Sequence, residues 1–344
     1  MDYFSYLGDH PDRGELEHRL GATLDRLMTL DVNLTGRAEH LYSIERRRTQ
    51  RPISLTLAAR LLETVSAGGT LLIVTGCSVR PEIDVSVGEP DGPPGAAAIA
   101  RAMFMTRACQ TVVAVAEPLA EQVEAALRTA GATLVEEAVL QRVKASPKPL
   151  FAAAVIGLPV DEDLGSRPQQ IFDVHRPSAV LAIEHLGFAS DGNAYFSTGK
   201  PFINALLRSD PIFREAAARG ILRACCVDNP NEAGTGRLHS EIARHPPMAD
   251  SFEHIVPGTI VNWAAYAVAA AIGALTGRPE AAFHGELDEA CVRSTIEAGA
   301  VDPFSGFADP ALGVDTLEKS VHSPVTTLMA RTAKGFCSAS RAIR

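Results

Sequence analysis

One pattern recurs along the chain and restricts its fold more than any other. A short, largely apolar run stops at a glycine or an acid, and a helix-like stretch follows. "TLLIVTG" (70–76), "QTVVAVAE" (110–117), "SAVLAIE" (178–184) and "GILRACCVD" (220–228) are such runs. They are short for helices, and they lack the polar alternation of a strand with one wet face. That texture belongs to parallel strands buried on both sides. Helical stretches lie between them. "EPLAEQVEAALRTAGA" places Leu119, Val123 and Leu127 on one face, and "DGPPGAAAIARAMFM" has prolines suited to a loop entering a first helical turn. The alternation predicts an α/β fold, a mostly parallel sheet with helices on both faces. "ATLVEEAVL" (132–140) reads as a third strand, and further helices are expected at about 200–218, 259–275, 285–299 and 315–332. Residues 1–66 read as a helical N-terminal segment packed on the main domain, which spans 67–344. The loop 76–93 and the segment 144–177 lack a clear period and read as a lid or an insertion.

Composition narrows the function classes. Hydrophobic residues make up 46% of the 344, enough for a real core. A net charge of −9 argues against a nucleic-acid partner, which would need a basic face. None of the six cysteines forms C-x-x-C or pairs with histidine at zinc spacing, so buried free thiols are expected. The N-terminus has no basic region followed by an apolar stretch. The apolar "TIVNWAAYAVAAAIGAL" contains Asn262 and is short for a span of about 20 residues. A cytoplasmic protein without a membrane partner is expected. The alanine-rich helix suits either a core or an interface, so a homo-oligomer stays open.

In open parallel sheets, ligands bind beyond the carboxyl ends of the strands. Three loops there are chemically rich. "TGCSVRPEIDVSVGEPDGPPGAAA" contains Asp91, Gly92 and Gly95. Either Asp91 caps the helix that follows, or free N–H groups near Gly95 receive a substrate carboxylate or phosphate. "AIEHLGFASDGNAYFSTGKP" puts Glu184 at a strand end, where burial demands pairing, protonation or a metal. Asp191, Gly192 and Asn193 follow as ordinary turn chemistry, and Lys200 offers a charge for an anionic substrate. His185 is a candidate proton carrier. "VDNPNEAGTG" (227–236) gathers Asp228, Asn229, Asn231 and Glu232 just after a buried strand. This is a solvated turn or an oxygen-only site for a hard cation such as Mg²⁺ or Mn²⁺. Asn262 begins a late helix beside Trp263, as a cap or as a residue facing a ligand cavity. No P-loop, no G-x-S-x-G elbow and no G-x-G-x-x-G fingerprint is present.

Five stretches in order, "EPDGPPGAAAIARAM", "AIEHLGFASDGNAY", "VDNPNEAGTGRL", "IVNWAAYAVA" and "AGAVDPFSGFADPALGVDTL", resemble the D-glutamate cyclase-like family over about residues 50–330. The family's D-G-P-x-G loop matches Asp91, Gly92, Pro93 and Gly95. Its E-x-x-G-x-x-x-D-G-N segment matches Glu184, Gly187, Asp191, Gly192 and Asn193. Its D-G-G-N-E-x-G-x-G segment matches Asp228, Asn231, Glu232, Gly234 and Gly236. The paired glycines are replaced by Asn229 and Pro230, and S-N-W-G becomes Val261, Asn262, Trp263 and Ala264. The resemblance implies conversion of D-glutamate to 5-oxo-D-proline and water, by attack of the amine on the side-chain carboxyl. It implies Mn²⁺ or Mg²⁺ held by Glu184, Asp191, Asp228 and Glu232. Asp228 is grouped with Glu184 and Glu232 as catalytic, and one of the two glutamates takes the ammonium proton. Asp91, Gly92, Gly95, Asn193, Lys200, Asn231 and Asn262 are the substrate-binding candidates. The altered glycine pair points to a small amino-acid-like substrate that differs from the family's. A metal-dependent hydrolase or phosphatase, a cyclase for another amino acid, and a non-catalytic binder are the alternatives.

Overall fold

The computed structural model describes residues 11–202, 206–242 and 245–342. Three helices come first: α1 (Arg13–Met28), α2 (Arg37–Arg46) and α3 (Ile53–Thr64). The strand–helix alternation follows, with β1 (Thr70–Thr75), α4 (Pro93–Arg107), β2 (Gln110–Ala116), α5 (Ala120–Thr129), β3 (Thr133–Leu134), α6 (Glu137–Lys144) and β4 (Ala152–Leu158). It continues through α7 (Arg167–His175), β5 (Ala179–Ile183), α8 (Asp210–Ala218), β6 (Leu222–Val227) and β7 (His254–Pro257). The chain closes with α9 (Val261–Leu275), α10 (Gly285–Glu297) and α11 (Lys319–Ala342).

The seven strands form one parallel sheet in the order β3-β4-β2-β1-β5-β6-β7. Strand β1 is central. The chain builds outward from it through β2, then returns to place β5 on its other edge. The reversal between β1 and β5 is where a crevice opens at the carboxyl ends. Helices α4, α5 and α9 pack on the sheet, with α1, α3, α10 and α11 stacked against them. Helices α6, α7 and α8 pack on the strands as a separate group.

Helix α9 is the centre of the thicker layer. Every residue from Val261 to Ala274 is buried, and α1, α3, α4 and α11 surround it. Its alanines let those helices approach closely. At the α4 contact, a Cβ on Gly95 would lie 3.0 Å from Ala265 Cβ and 3.0 Å from Asn262 Oδ1. The alanine-rich helix is therefore core. No helix among the described residues is long and apolar enough to cross a membrane. All six cysteines are free and buried.

The sequence reading differs from the structure at the weaker strands. "ATLVEEAVL" supplies only two strand residues, and from Glu137 it turns into helix α6, whose acidic first turn suits the helix dipole. Segment 144–177, read as a lid or insertion, holds β4 and α7. Strand β4 is rich in alanine, a poor strand former, so composition did not signal it. Strand β7 has four residues and ends in Pro257, which an edge strand tolerates. The helix expected at 200–218 covers Asp210–Ala218, and residues 203–205 lie outside those described. The last helix begins at Lys319, after a turn at Asp315 and Thr316 with φ of 51° and 64°.

Gly95→Val would force two branched methyl groups into the α4–α9 contact. It should lower unfolding free energy by about 1–3 kcal/mol, read by urea denaturation.

Candidate active site

The carboxyl ends of β1, β5 and β6 bring together a buried acidic cluster. Glu184 follows β5 directly and Asp228 follows β6. Glu232 returns on the same loop, where Leu186 and Glu232 form an isolated bridge. Glu89 and Asp91 arrive on the loop after β1, which folds into a small hairpin through a Ser78–Gly88 bridge. Asp315 enters from the turn before α11. One ligand atom each from Glu184, Asp228 and Glu232 lies within 4.8 Å of the others. The same holds for Asp91, Asp228 and Asp315, and for Cys77, Glu89 and Glu184.

Two of the candidate loop positions have a structural duty first. Asp91 Oδ2 accepts from Val261 N (2.8 Å) and Oδ1 from Asn262 N (2.8 Å), so it caps α9. Asn262 Oδ1 in turn accepts from Gly92 N (3.1 Å) and Gly95 N (2.8 Å), capping α4, and its Nδ2 donates to Pro90 O (3.0 Å). Of the two readings left open for Asp91, capping of the helix that follows it is replaced by capping of one 170 residues away. The N–H groups of Gly92 and Gly95 are taken by Asn262, so they are not free to receive a substrate carboxylate or phosphate.

The remaining acids keep oxygens in reserve. Glu232 Oε1 accepts from Asp228 N (2.8 Å) and Asn229 N (2.7 Å), which fixes the carboxylate, yet its Oε2 is enclosed and meets no partner among the described residues. Glu184 Oε2 and Asn231 Oδ1 are enclosed and unpartnered in the same sense. Asn231 is held from its other side, where Nδ2 donates to Tyr195 O at 2.9 Å. Buried oxygens without donors carry a large desolvation cost. Backbone strain accompanies them. Glu184 has φ of 43°, a left-handed conformation uncommon outside glycine. Gly92 (φ 95°) leaves room for it, because a Cβ there would stand 2.7 Å from Glu184 Cβ.

Arg37, from α2, reaches this edge. Its Nη2 donates to Asp228 Oδ2 (2.6 Å) and its Nη1 to Asn229 Oδ1 (3.0 Å). Arg37 and Asp315 line a cavity of about 380 Å³ with Asn33, Thr35, Thr259 and Phe304. The helical N-terminal segment thus contributes to the site.

Crowded burial makes these acids hard to ionise. Burial and then the neighbouring Asp228 push Asp91 up to about 7. Burial raises Glu184 and Glu232 well above the usual carboxylate range, with Glu232 acting next on Glu184 and Asp228 on Glu232. Glu89 and Asp315 are raised well above it too, by burial first and by Asp91 and Asp228 respectively. Asp228 is raised by burial, against the pull of Arg37. The Cys77 thiol is pushed up by burial and by Glu89, so it stays protonated.

Several sequence candidates lie outside the cluster. Asp191 is exposed and accepts from Asn193 N (3.0 Å) and from the Tyr195 hydroxyl, a local turn. Asn193 and Lys200 are exposed on the same excursion. His185 is buried, with Nε2 2.7 Å from Ser209 Oγ, and burial drives its pKa down to about 4. It is therefore neutral and turned away from proton traffic at neutral pH. Gly234 (φ 92°) lies against the Phe252 ring, which leaves no space for a side chain. The sequence reading missed Glu89, Asp315 and Arg37. Glu89 stands two residues before the D-G-P-x-G motif and was visible in it. Arg37 had no local signal.

A carboxyl with a raised folded pKa stabilises the fold below its unfolded value near 4, and that contribution is lost as pH rises through the folded value. For Asp91 the loss sets in above about 4 and is complete near about 7. In the presence of a chelator, the thermal midpoint should fall between about pH 5 and about pH 8. The fall should be shallower in Glu232→Gln, whose amide cannot ionise.

A family model described as D-glutamate cyclase-like, C-terminal, matches residues 27–329, from the end of α1 into α11. A search of curated proteins finds no match to the chain. The matched span takes in all seven strands, the acidic cluster and Arg37, and the chain belongs to the D-glutamate cyclase-like family.

Proposed function

We propose that the chain is a divalent-cation-dependent cyclase that forms a lactam from glutamate or a closely related amino acid, in the manner of D-glutamate to 5-oxo-D-proline and water. The observation that carries this reading is the set of enclosed, unpartnered oxygens on Glu184, Glu232 and Asn231. An all-oxygen set of this kind suits Mn²⁺ or Mg²⁺. Glu184 and Asp228 would hold the ion, with Glu232 beside them left as the base, and its chemistry there would be to polarise the substrate's side-chain carboxylate and offset charge on its oxygen during attack.

The chain's own groups handle orientation and protons. Ring closure needs the amine held against the carboxyl carbon, which makes the attack intramolecular. Asn231 Oδ1 is an acceptor for the ammonium N–H. Glu232, fixed through Oε1, has Oε2 left to take a proton from the ammonium. In the overall change the C–N bond forms and one C–O bond breaks. The two protons that nitrogen loses are the two that the departing oxygen needs to leave as water. Asp191, Asn193 and Lys200, exposed beside the cluster, have no part in these steps.

A second reading has one specific observation behind it. Asn229 replaces a family glycine and bonds Arg37, a contact glycine could not make. A lactam-forming cyclase for a different amino acid would account for it. Incubation with Mn²⁺ and D- or L-glutamate, followed by detection of 5-oxoproline, tests the main reading, and absence of product from both isomers sinks it. Release of phosphate from generic esters would instead favour a hydrolase, and tight binding without turnover a non-catalytic binder. Glu232→Gln should reduce turnover by roughly 10²-fold or more. Mn²⁺ should raise the thermal midpoint more at about pH 8 than at about pH 6, because cation binding requires the acids deprotonated.

A further inference from the structure

Arg37 has the features of a docking group held ready. Asp31 fixes the chain just before it, accepting from Thr35 N (3.0 Å) and Gly36 N (2.6 Å). Gly36, with φ of 69°, then turns the chain into α2. Three of the guanidinium's five N–H donors are engaged, by Asp228, by Asn229 and more distantly by Thr259 O at 3.4 Å. Its Nε–H is enclosed and meets no acceptor among the described residues. The side chain is 32% exposed where Asp228 is 1% exposed, and the exposed part lines the 380 Å³ cavity.

The charge pattern sets what this group can do. Asp315 lines the cavity beside Arg37, and five more carboxyl groups, at Glu89, Asp91, Glu184, Asp228 and Glu232, make up the rest of the cluster. In their ionised form they would repel the carboxylate of any amino acid that approached them carboxylate first. They would attract its ammonium. A guanidinium on the wall reverses the repulsion at one place, and with three donors engaged and Nε–H enclosed, its remaining Nη1–H is the donor left for a carboxylate oxygen. Asn229 Oδ1 holds Nη1 at 3.0 Å while Asn229 Nδ2 donates to Asp228 Oδ1 at 2.6 Å, so one side chain ties the arginine and its acid together. A glycine at this position leaves the guanidinium free to turn about its contact with Asp228.

The geometry points to Arg37 as the group that docks the α-carboxylate of the substrate at the cavity wall, with Asn229 as the positioning residue that fixes its direction. This rests on an amino-acid substrate for the site, as proposed above. The α-carboxylate stays at the mouth, the ammonium faces the acids, and the side-chain carboxyl enters furthest. Substrates without an α-carboxylate are disfavoured.

Calorimetric titration of the Mn²⁺-supplemented full chain with D-glutamate and with its α-amide separates the outcomes. The wild type should bind D-glutamate roughly 10-fold or more tightly than the α-amide. In Arg37→Gln the ratio should fall to near one. Arg37→Lys, which keeps the charge and loses the planar fork, should lie between, as should Asn229→Gly. Thermal midpoints report whether each variant is folded. An unchanged ratio in folded Arg37→Gln and Arg37→Lys overturns the assignment, as does a wild type that binds neither ligand or shows no preference. A preference that depends on Arg37 without 5-oxoproline formation supports the assignment and sinks the cyclisation. Product formation with a ratio indifferent to Arg37 does the reverse.

Discussion

The exchange of caps between Asp91 and Asn262 is the contact on which the site depends. Two buried helices, α4 and α9, begin at the same point with their backbone donors exposed to each other's side chains. Each supplies what the other lacks: an acid for the N–H groups of Val261 and Asn262, an amide oxygen for those of Gly92 and Gly95. A cap is worth about 1 kcal/mol at a surface, and an uncapped buried donor costs more. The exchange fixes the crossing of α4 and α9 over the sheet. Through Gly92 it also fixes the space that Glu184 occupies in its left-handed conformation.

The same helix ends explain how so many acids can share one edge. The N-termini of α4 and α9 turn the positive ends of their dipoles toward Asp91 and its neighbours. Arg37 adds a full charge on the Asp228 side. These terms do not outweigh the burial of six neighbouring carboxyl groups, and all six are raised above the usual carboxylate range. Under the proposed cation dependence, protonation state and occupancy are two descriptions of one equilibrium. The unpartnered oxygens of Glu184 and Glu232 face inward for the same reason that these two acids resist ionisation: protein donors stop short of them.

The central sheet and the principal site loops were legible because they rest on local patterns. β1, β2, β5 and β6 are apolar on both faces, and Glu184 and Asp228 interrupt that texture where each strand ends. β4 and β7 were not legible. Alanine-rich and four-residue strands take their conformation from the neighbours they pair with, which a linear reading does not see. Within the site, the cap on α9 was misplaced because Asp91 has a helix of its own nearby, and its actual partner is distant in sequence. Asp191 looked like Asp228 in composition. Its tie to Asn193 and Tyr195 makes it a turn residue on an exposed excursion. Arg37 was invisible because nothing near it in the chain resembles a site.

Arg37 and Asp228 are separated by 191 residues, and the contact between them crosses from the N-terminal helices to the far half of the sheet. The edge of the pocket is therefore discontinuous in sequence, joined by one ion pair rather than by any single loop. A piece of the chain without α2 would carry Asp228 but lack the guanidinium that works against the effect of its burial.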